Sequence, residues 1–193
     1  MNKFLGIILI ALSIWGGIMV MPKGDTQKSR GDIYLAGGCF WGVEAYFSNL
    51  PGILYTKVGY ANGKTQNPTY EDVLKGDTDF AETVFIEYDT KQIALSEILS
   101  NYFNIVNLTT LNRQAHDSGT QYRSGIYYVN DKDKDLIEKA IKQEQKKYKK
   151  PIVTEVKKLE NFYEAEEYHQ KYLDKNPNGY CHINLSKIKK YEK

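Results

Sequence analysis

Two cysteines, Cys39 and Cys181, are the residues of this chain best suited to covalent chemistry, and the setting of the first argues for reactivity. Gly37-Gly38-Cys39-Phe40-Trp41-Gly42 follows the apolar run Ile33-Tyr34-Leu35-Ala36 and leads into a segment where Val43, Tyr46, Phe47 and Leu50 recur at helical spacing. The pattern predicts strand, glycine turn, cysteine, helix. A sulfur at a helix start lies among backbone N–H groups without intrahelical partners and at the positive end of the helix dipole, and both favour thiolate over thiol. The glycines permit a tight turn, and the rings of Phe40 and Trp41 offer an apolar wall to a ligand. The alternative is a buried cysteine packed as a small hydrophobe, with both rings as ordinary core.

Other residue types bear on that sulfur. Glu82 opens an alternating stretch, with Val84, Ile86 and Tyr88 on one face and Thr83, Phe85 and Glu87 on the other, next to apolar Phe80 and Ala81. A carboxyl at the mouth of a half-buried strand is placed to have a raised pKa; the alternative is a surface carboxylate. Cys181 ends Asn176-Pro177-Asn178-Gly179-Tyr180-Cys181, a run of turn formers whose mobility would suit a cysteine that must reach another sulfur. Two cysteines are too few for a disulfide framework, and the sequence leaves them either a static bridge or a redox pair. His116, His169 and His182 have no metal-ligand spacing and read as ordinary polar residues. The rival chemistry is a Cys/His hydrolase, which requires an imidazole within hydrogen-bond reach of Cys39. The rival without chemistry is a module that grips exposed methionine side chains.

Gly38-Cys39-Phe40-Trp41-Gly42, Val58-Gly59-Tyr60-Ala61-Asn62-Gly63, Asn67-Pro68-Thr69-Tyr70-Glu71-Asp72-Val73, Gly119-Thr120-Gln121-Tyr122-Arg123-Ser124 and the segment ending at Cys181 occur in that order. Together they resemble the A-type peptide methionine sulfoxide reductases over residues 31–185. The resemblance implies thiol-dependent reduction of the S epimer of methionine sulfoxide, free or in proteins, as a repair of oxidative damage. A sulfoxide sulfur is electrophilic but its oxygen leaves poorly, so the reaction needs a nucleophile, an acid and donors to hold the oxygen. By resemblance, Cys39 attacks, Glu82 supplies the proton, and Tyr70 and Tyr122 donate to the oxygen. Phe40 and Trp41 enclose the substrate methyl, and Asp117 supports substrate binding near the cysteine; the alternative for Asp117 is a turn cap. Among 16 tyrosines, only the motif lifts those two above packing residues. The implied sequel is a Cys39 sulfenic acid, a Cys39–Cys181 disulfide, and regeneration by thioredoxin or a thioredoxin-like dithiol, with no cofactor and no metal. The chain departs from the family at Phe80, where many members carry His, and has no second recycling cysteine beyond Cys181.

These residues must be positioned by a sheet and its helices. Periodicity predicts strands over residues 33–36, 53–60, 81–88, 121–129 and 152–159, with a helical turn over 70–74 and loops over 61–68 and 107–119. Helices are predicted over 43–50, over 96–106 with Ser96 as a cap, from Asp131 or Asp133 to before Pro151, and over 162–173. In the third helix Leu136, Ile137, Ala140 and Ile141 form the apolar stripe. The order favours an α+β fold, a mixed sheet with helices packed against it, most economically a split βαβ arrangement. The resemblance implies a two-layer α/β sandwich around a ferredoxin-like core.

The 193 residues, 41% apolar and 26% charged, suit one globular domain. A net charge of +2 makes no case for nucleic acid, and the lysine-rich stretch 142–150 reads as a solvated helix face. Residues 4–21 are uncharged and mostly apolar, with Lys3 before them and Pro22 after, and are expected to be an export element. Met19-Val20-Met21 offers no small-x-small cleavage site, so the segment is either a signal peptide or a retained anchor, with residues 23–30 as linker and the domain over 31–193 outside the cytoplasm. The expected partners are a dithiol reductant, oxidised proteins and peptides, and the membrane through the N-terminal segment, for a chain acting as a monomer.

Overall fold

The sheet is built from strands whose register converges on the start of one helix. In a computed structural model, which describes residues 29–185, β1 runs over Arg30–Gly37. Helix α1 follows at Phe40–Phe47, then β2 at Ile53–Ala61, α2 at Tyr70–Leu74 and β3 at Ala81–Asp89. Next come α3 at Leu95–Ile105, two short paired strands β4 at Arg113–Gln114 and β5 at Asp117–Ser118, and β6 at Ser124–Tyr128. The chain continues through α4 at Asp131–Glu144, β7 at Glu155–Lys158, β8 at Phe162–Glu164 and α5 at Tyr172–Lys175. The six-stranded sheet has the order β7-β6-β1-β3-β2-β8 and is mixed: β6 and β7 are parallel, the other pairs antiparallel.

One face of the sheet carries the main core. Ile33, Leu35, Val58, Val84, Ile86 and Ile126 meet Phe40, Val43 and Phe47 of α1, Ile98, Leu99 and Tyr102 of α3, and Ile137 of α4. Each such burial removes roughly 1.5–3 kcal/mol of apolar surface free energy from water. On the other face Ala36, Ala61, Ala81 and Tyr127 form a smaller cluster against Tyr34, Leu159 and Phe162. The strand stretches that carry Leu35, Ala36, Gly37, Ala81 and Glu82 are therefore buried on both faces.

Register explains where the site lies. β1 pairs β3 with Leu35 opposite Val84, so two further residues bring Gly37 alongside Glu82. On its other edge β1 pairs β6 with Gly37 opposite Ser124, just after Tyr122. The chain leaves β1 at Gly38, whose φ of +83° belongs to glycine, and a Cβ there would stand 2.6 Å from the Gln114 side chain.

Several sequence expectations need correction. Ser96 lies inside the first turn of α3; the N-cap is Ala94, without a side-chain cap. Tyr122 belongs to a 3₁₀ turn over Thr120–Tyr122, because Gly119 at φ +148° breaks the chain direction before β6. Leu136 is 39% exposed, since α4 turns only the Ile137 side inward. Residues 162–173 do not form a helix: Phe162–Glu164 is an edge strand paired with β2, and Lys171 has left-handed backbone, so only Tyr172–Lys175 is helical. Arg30, assigned to the linker, already belongs to β1. The N-terminal segment 1–22 and linker residues 23–28 lie outside the described residues.

Candidate active site

Cys39 is the N-cap of α1, buried, with no side-chain cap bond of its own. The free backbone donors at this helix end divide between two acceptors. The N–H of Phe40 donates to Glu82 Oε2 at 3.1 Å, and the backbone of Trp41 acts on the Cys39 sulfur, favouring its thiolate. The helix end thus supplies the donors the sequence implied, but it does not make Cys39 a thiolate. Burial, and secondarily the charge of Glu82, push the thiol well above its usual range, and the Trp41 N–H only partly offsets them.

Glu82 is 2% exposed, and burial raises its carboxyl to about 8 despite the Phe40 N–H; Asp117 adds to the rise. It is the half-buried strand's carboxyl that the alternation marked, enclosed by Ala81, Phe40 and the sheet. Tyr70 and Tyr122 lie close enough for each phenol to act on the other, and both feel the charges of Glu82 and Cys39. Burial lifts Tyr70 to about 12 and Tyr122 further, so both hydroxyls keep their protons at neutral pH.

Each phenol is fixed by its own support. Thr69 and Asp72 close a capping box at the start of α2, and Glu166 accepts the Tyr70 N–H at 2.8 Å and the Tyr60 hydroxyl at 2.8 Å. Arg123 donates to the carbonyl of Thr120 at 3.0 Å and to that of Asp79 at 2.9 Å, tying the turn that carries Tyr122 to the loop before Glu82. Phe40 is fully buried beside Tyr60 and His169. Trp41 is half-buried and stacks on Tyr172 with ring centroids 3.7 Å apart. Asp117 accepts the Tyr180 hydroxyl at 3.0 Å, and its charge acts on Cys39, Glu82 and Tyr122. Cys181 is a free, half-buried thiol whose sulfur lies 3.0 Å from where a Cβ on Gly42 would stand. All eight residues singled out in the sequence therefore surround the start of α1.

His169 was missed. Its buried ring contacts Phe40, Trp41, Tyr70 and Tyr168, and its Nδ1 accepts the Trp41 indole N–H at 3.0 Å. The signal lay in Tyr168-His169-Gln170-Lys171-Tyr172, aromatic at both ends and read as a helix face. Among the described residues neither His169 nor His182 hydrogen-bonds Cys39, the contact a hydrolase dyad requires: the first accepts from the indole and the second bonds the Gly37 carbonyl.

Comparison with known proteins decides between the readings. The family model for peptide methionine sulfoxide reductase matches residues 31–193. The chain belongs to the A-type peptide methionine sulfoxide reductases. A relative from Clostridium acetobutylicum, peptide methionine sulfoxide reductase MsrA, is 59% identical over 159 residues, covering 82% of this chain and 98% of its own. Among solved structures, reduced Mxr1 from Saccharomyces cerevisiae is 42% identical with a TM-score of 0.75, covering 80% of this chain and 91% of that one. Mxr1 in complex with Trx2 is 30% identical with a TM-score of 0.54, covering 74% and 84%. This reductase is therefore an oxidoreductase acting on methionine sulfoxide at the expense of thiols.

Proposed function

We propose that the chain reduces S-methionine sulfoxide, in peptides and as the free amino acid, with Cys39 as nucleophile and Glu82 as acid. The observation that carries this reading is the buried Glu82 carboxyl on the first N–H of the helix that Cys39 begins. With Glu82 raised to about 8 and the thiol higher still, the resting site holds both protons at neutral pH. Glu82 gives its proton to the sulfoxide oxygen while Tyr70 and Tyr122 hold that oxygen, and the carboxylate so formed takes the Cys39 thiol proton. The new carboxylate is short-lived and Glu82 ends as it began. In net terms oxygen passes from substrate sulfur to Cys39, the substrate gains two electrons, and Cys39 becomes a sulfenic acid. Phe40 and Trp41 form the wall for the methyl group, with Asp117 supporting the substrate side.

Cys181 then displaces hydroxide from Cys39, with water as product, and a dithiol exchanges with the resulting disulfide. The complex of Mxr1 with Trx2 supports thioredoxin in this role. The order β6-β1-β3-β2, crossed by α1 and α3, supports a ferredoxin-like core. The uncharged run 4–21 supports an exported or membrane-anchored domain.

The test uses a peptide carrying both sulfoxide epimers, incubated with the protein and dithiothreitol. Conversion should stop at half, with the S epimer gone and the R epimer intact. Loss of both epimers, or cleavage of an ester or amide without change at sulfur, would contradict the reading.

A further inference from the structure

Both residues flanking Cys181 are fastened to the turn and loop around Cys39. The Tyr180 hydroxyl donates to Asp117 Oδ2 at 3.0 Å, and His182 Nε2 lies 2.9 Å from the carbonyl oxygen of Gly37. A carbonyl only accepts, so Nε2 carries the ring proton. In the neutral ring Nδ1 is then a lone pair; it is buried without a hydrogen-bond partner, 4.0 Å from Asp117 Oδ2. The His182 side chain is 3% exposed and presses on the turn itself, since a Cβ at Gly38 would stand 3.0 Å from Nε2. One residue earlier, the Cys181 sulfur rests over Gly42 in the first turn of α1. Between Asn176 and Asn184 the chain has no regular element; besides the two bonds above, the Cys181 thiol donates to the Ile183 carbonyl at 3.2 Å and Ile183 is buried in the core.

We propose that His182 is a positioning residue for the recycling half of the reaction: its Nε2–H bond to the Gly37 carbonyl holds Cys181 within reach of an oxidised Cys39. The proposal rests on the recycling role given to Cys181 above. In the step it serves, the Cys181 thiol gives up its proton and forms the S–S bond, the sulfenic hydroxyl leaves Cys39, and proton and hydroxide depart as water. Cys181 is oxidised and the Cys39 sulfenic sulfur reduced to the disulfide level. His182 exchanges no atom in this. It raises the local concentration of one sulfur at the other by removing chain freedom, an effect that grows as tether and span match.

Two polar replacements separate the bond from the bulk of the ring. The Gln amide in His182→Gln reaches about as far as Nε2 and can donate to Gly37, whereas the shorter amide in His182→Asn cannot. Each protein is mixed with one equivalent of methionine sulfoxide without reductant, and methionine, the dimedone adduct of Cys39 and the Cys39–Cys181 disulfide are followed by mass spectrometry. His182→Asn should form the disulfide at least about tenfold more slowly, with the adduct accumulating, and His182→Gln should stay within about threefold of the parent. Closure of the Asn variant at the parent rate, or equal slowing of both variants, would overturn the proposal. Absence of the disulfide in the parent protein would overturn the recycling reading itself and this proposal with it.

Discussion

At Cys39 two opposing effects act on one proton. The helix start offers an N–H that stabilises a thiolate, while burial and the nearby Glu82 charge disfavour one, and burial wins. The site therefore works by holding protons until substrate arrives, and the pH response should follow Glu82. Because its folded value of about 8 lies above that of an exposed carboxyl, the acid form is present below about 8 and is lost as pH rises through it. The rate of methionine release in a single turnover should fall across that range. In Glu82→Gln the step should be about 10²–10⁴ slower and the alkaline limb should vanish. Stability gives an independent check. Between about 4.5 and 8 the folded protein keeps a proton that the unfolded chain has released, so stability falls as pH rises, at ~1.4 kcal/mol per pH unit, until Glu82 ionises in the folded state. Urea titrations of the Gln variant should lack this slope; a parallel slope in both proteins would contradict the assignment.

At the scale of elements, α1 supplies the reactive end, and the irregular segment after β8 supplies its cover. Glu44, buried in α1, accepts from the Lys171 backbone N–H at 2.8 Å and from the Thr56 hydroxyl at 3.2 Å, with the Lys171 ammonium beside it. This fastens the segment so that Tyr172 stacks on Trp41 and His169 receives its indole N–H. An aromatic pair contributes roughly 0.5–1.5 kcal/mol, so Tyr172→Ala should raise KM for a sulfoxide peptide by up to about tenfold, with a smaller change in kcat. Steady-state kinetics check this, and an unchanged KM would remove Trp41 from the substrate wall. The same segment was the least legible part of the sequence. Its apolar residues suggested a helix over 162–173, but Phe162 and Tyr163 pair with the β2 edge and Lys171 is left-handed, neither of which periodicity reveals. By contrast α1, β2 and β3 were legible because Val43 and Phe47, Val58 and Tyr60, and Val84 and Ile86 are buried at the spacing of their elements, and together with α2 they carry Cys39, Tyr70 and Glu82.

In the molecule as a whole, six strands and the segments around them bring together residues as far apart in sequence as Cys39 and Cys181. Spacing could not supply that proximity, since the encounter depends on the β1–β3 register and on where the tail folds back. Nor could it reveal that the helix dipole loses to burial at the sulfur, because desolvation depends on the assembled core. The motif order did point to the chemistry, and the geometry gives each of those residues a neighbour that makes the step physically reasonable. The most direct measurement is a single turnover of Cys181→Ser with excess S-methionine sulfoxide, no reductant, and dimedone present. One methionine per protein, with the adduct on Cys39, is the result this mechanism predicts. Methionine formed while Cys39 stays unmodified, or no methionine at all from a folded variant, would contradict it.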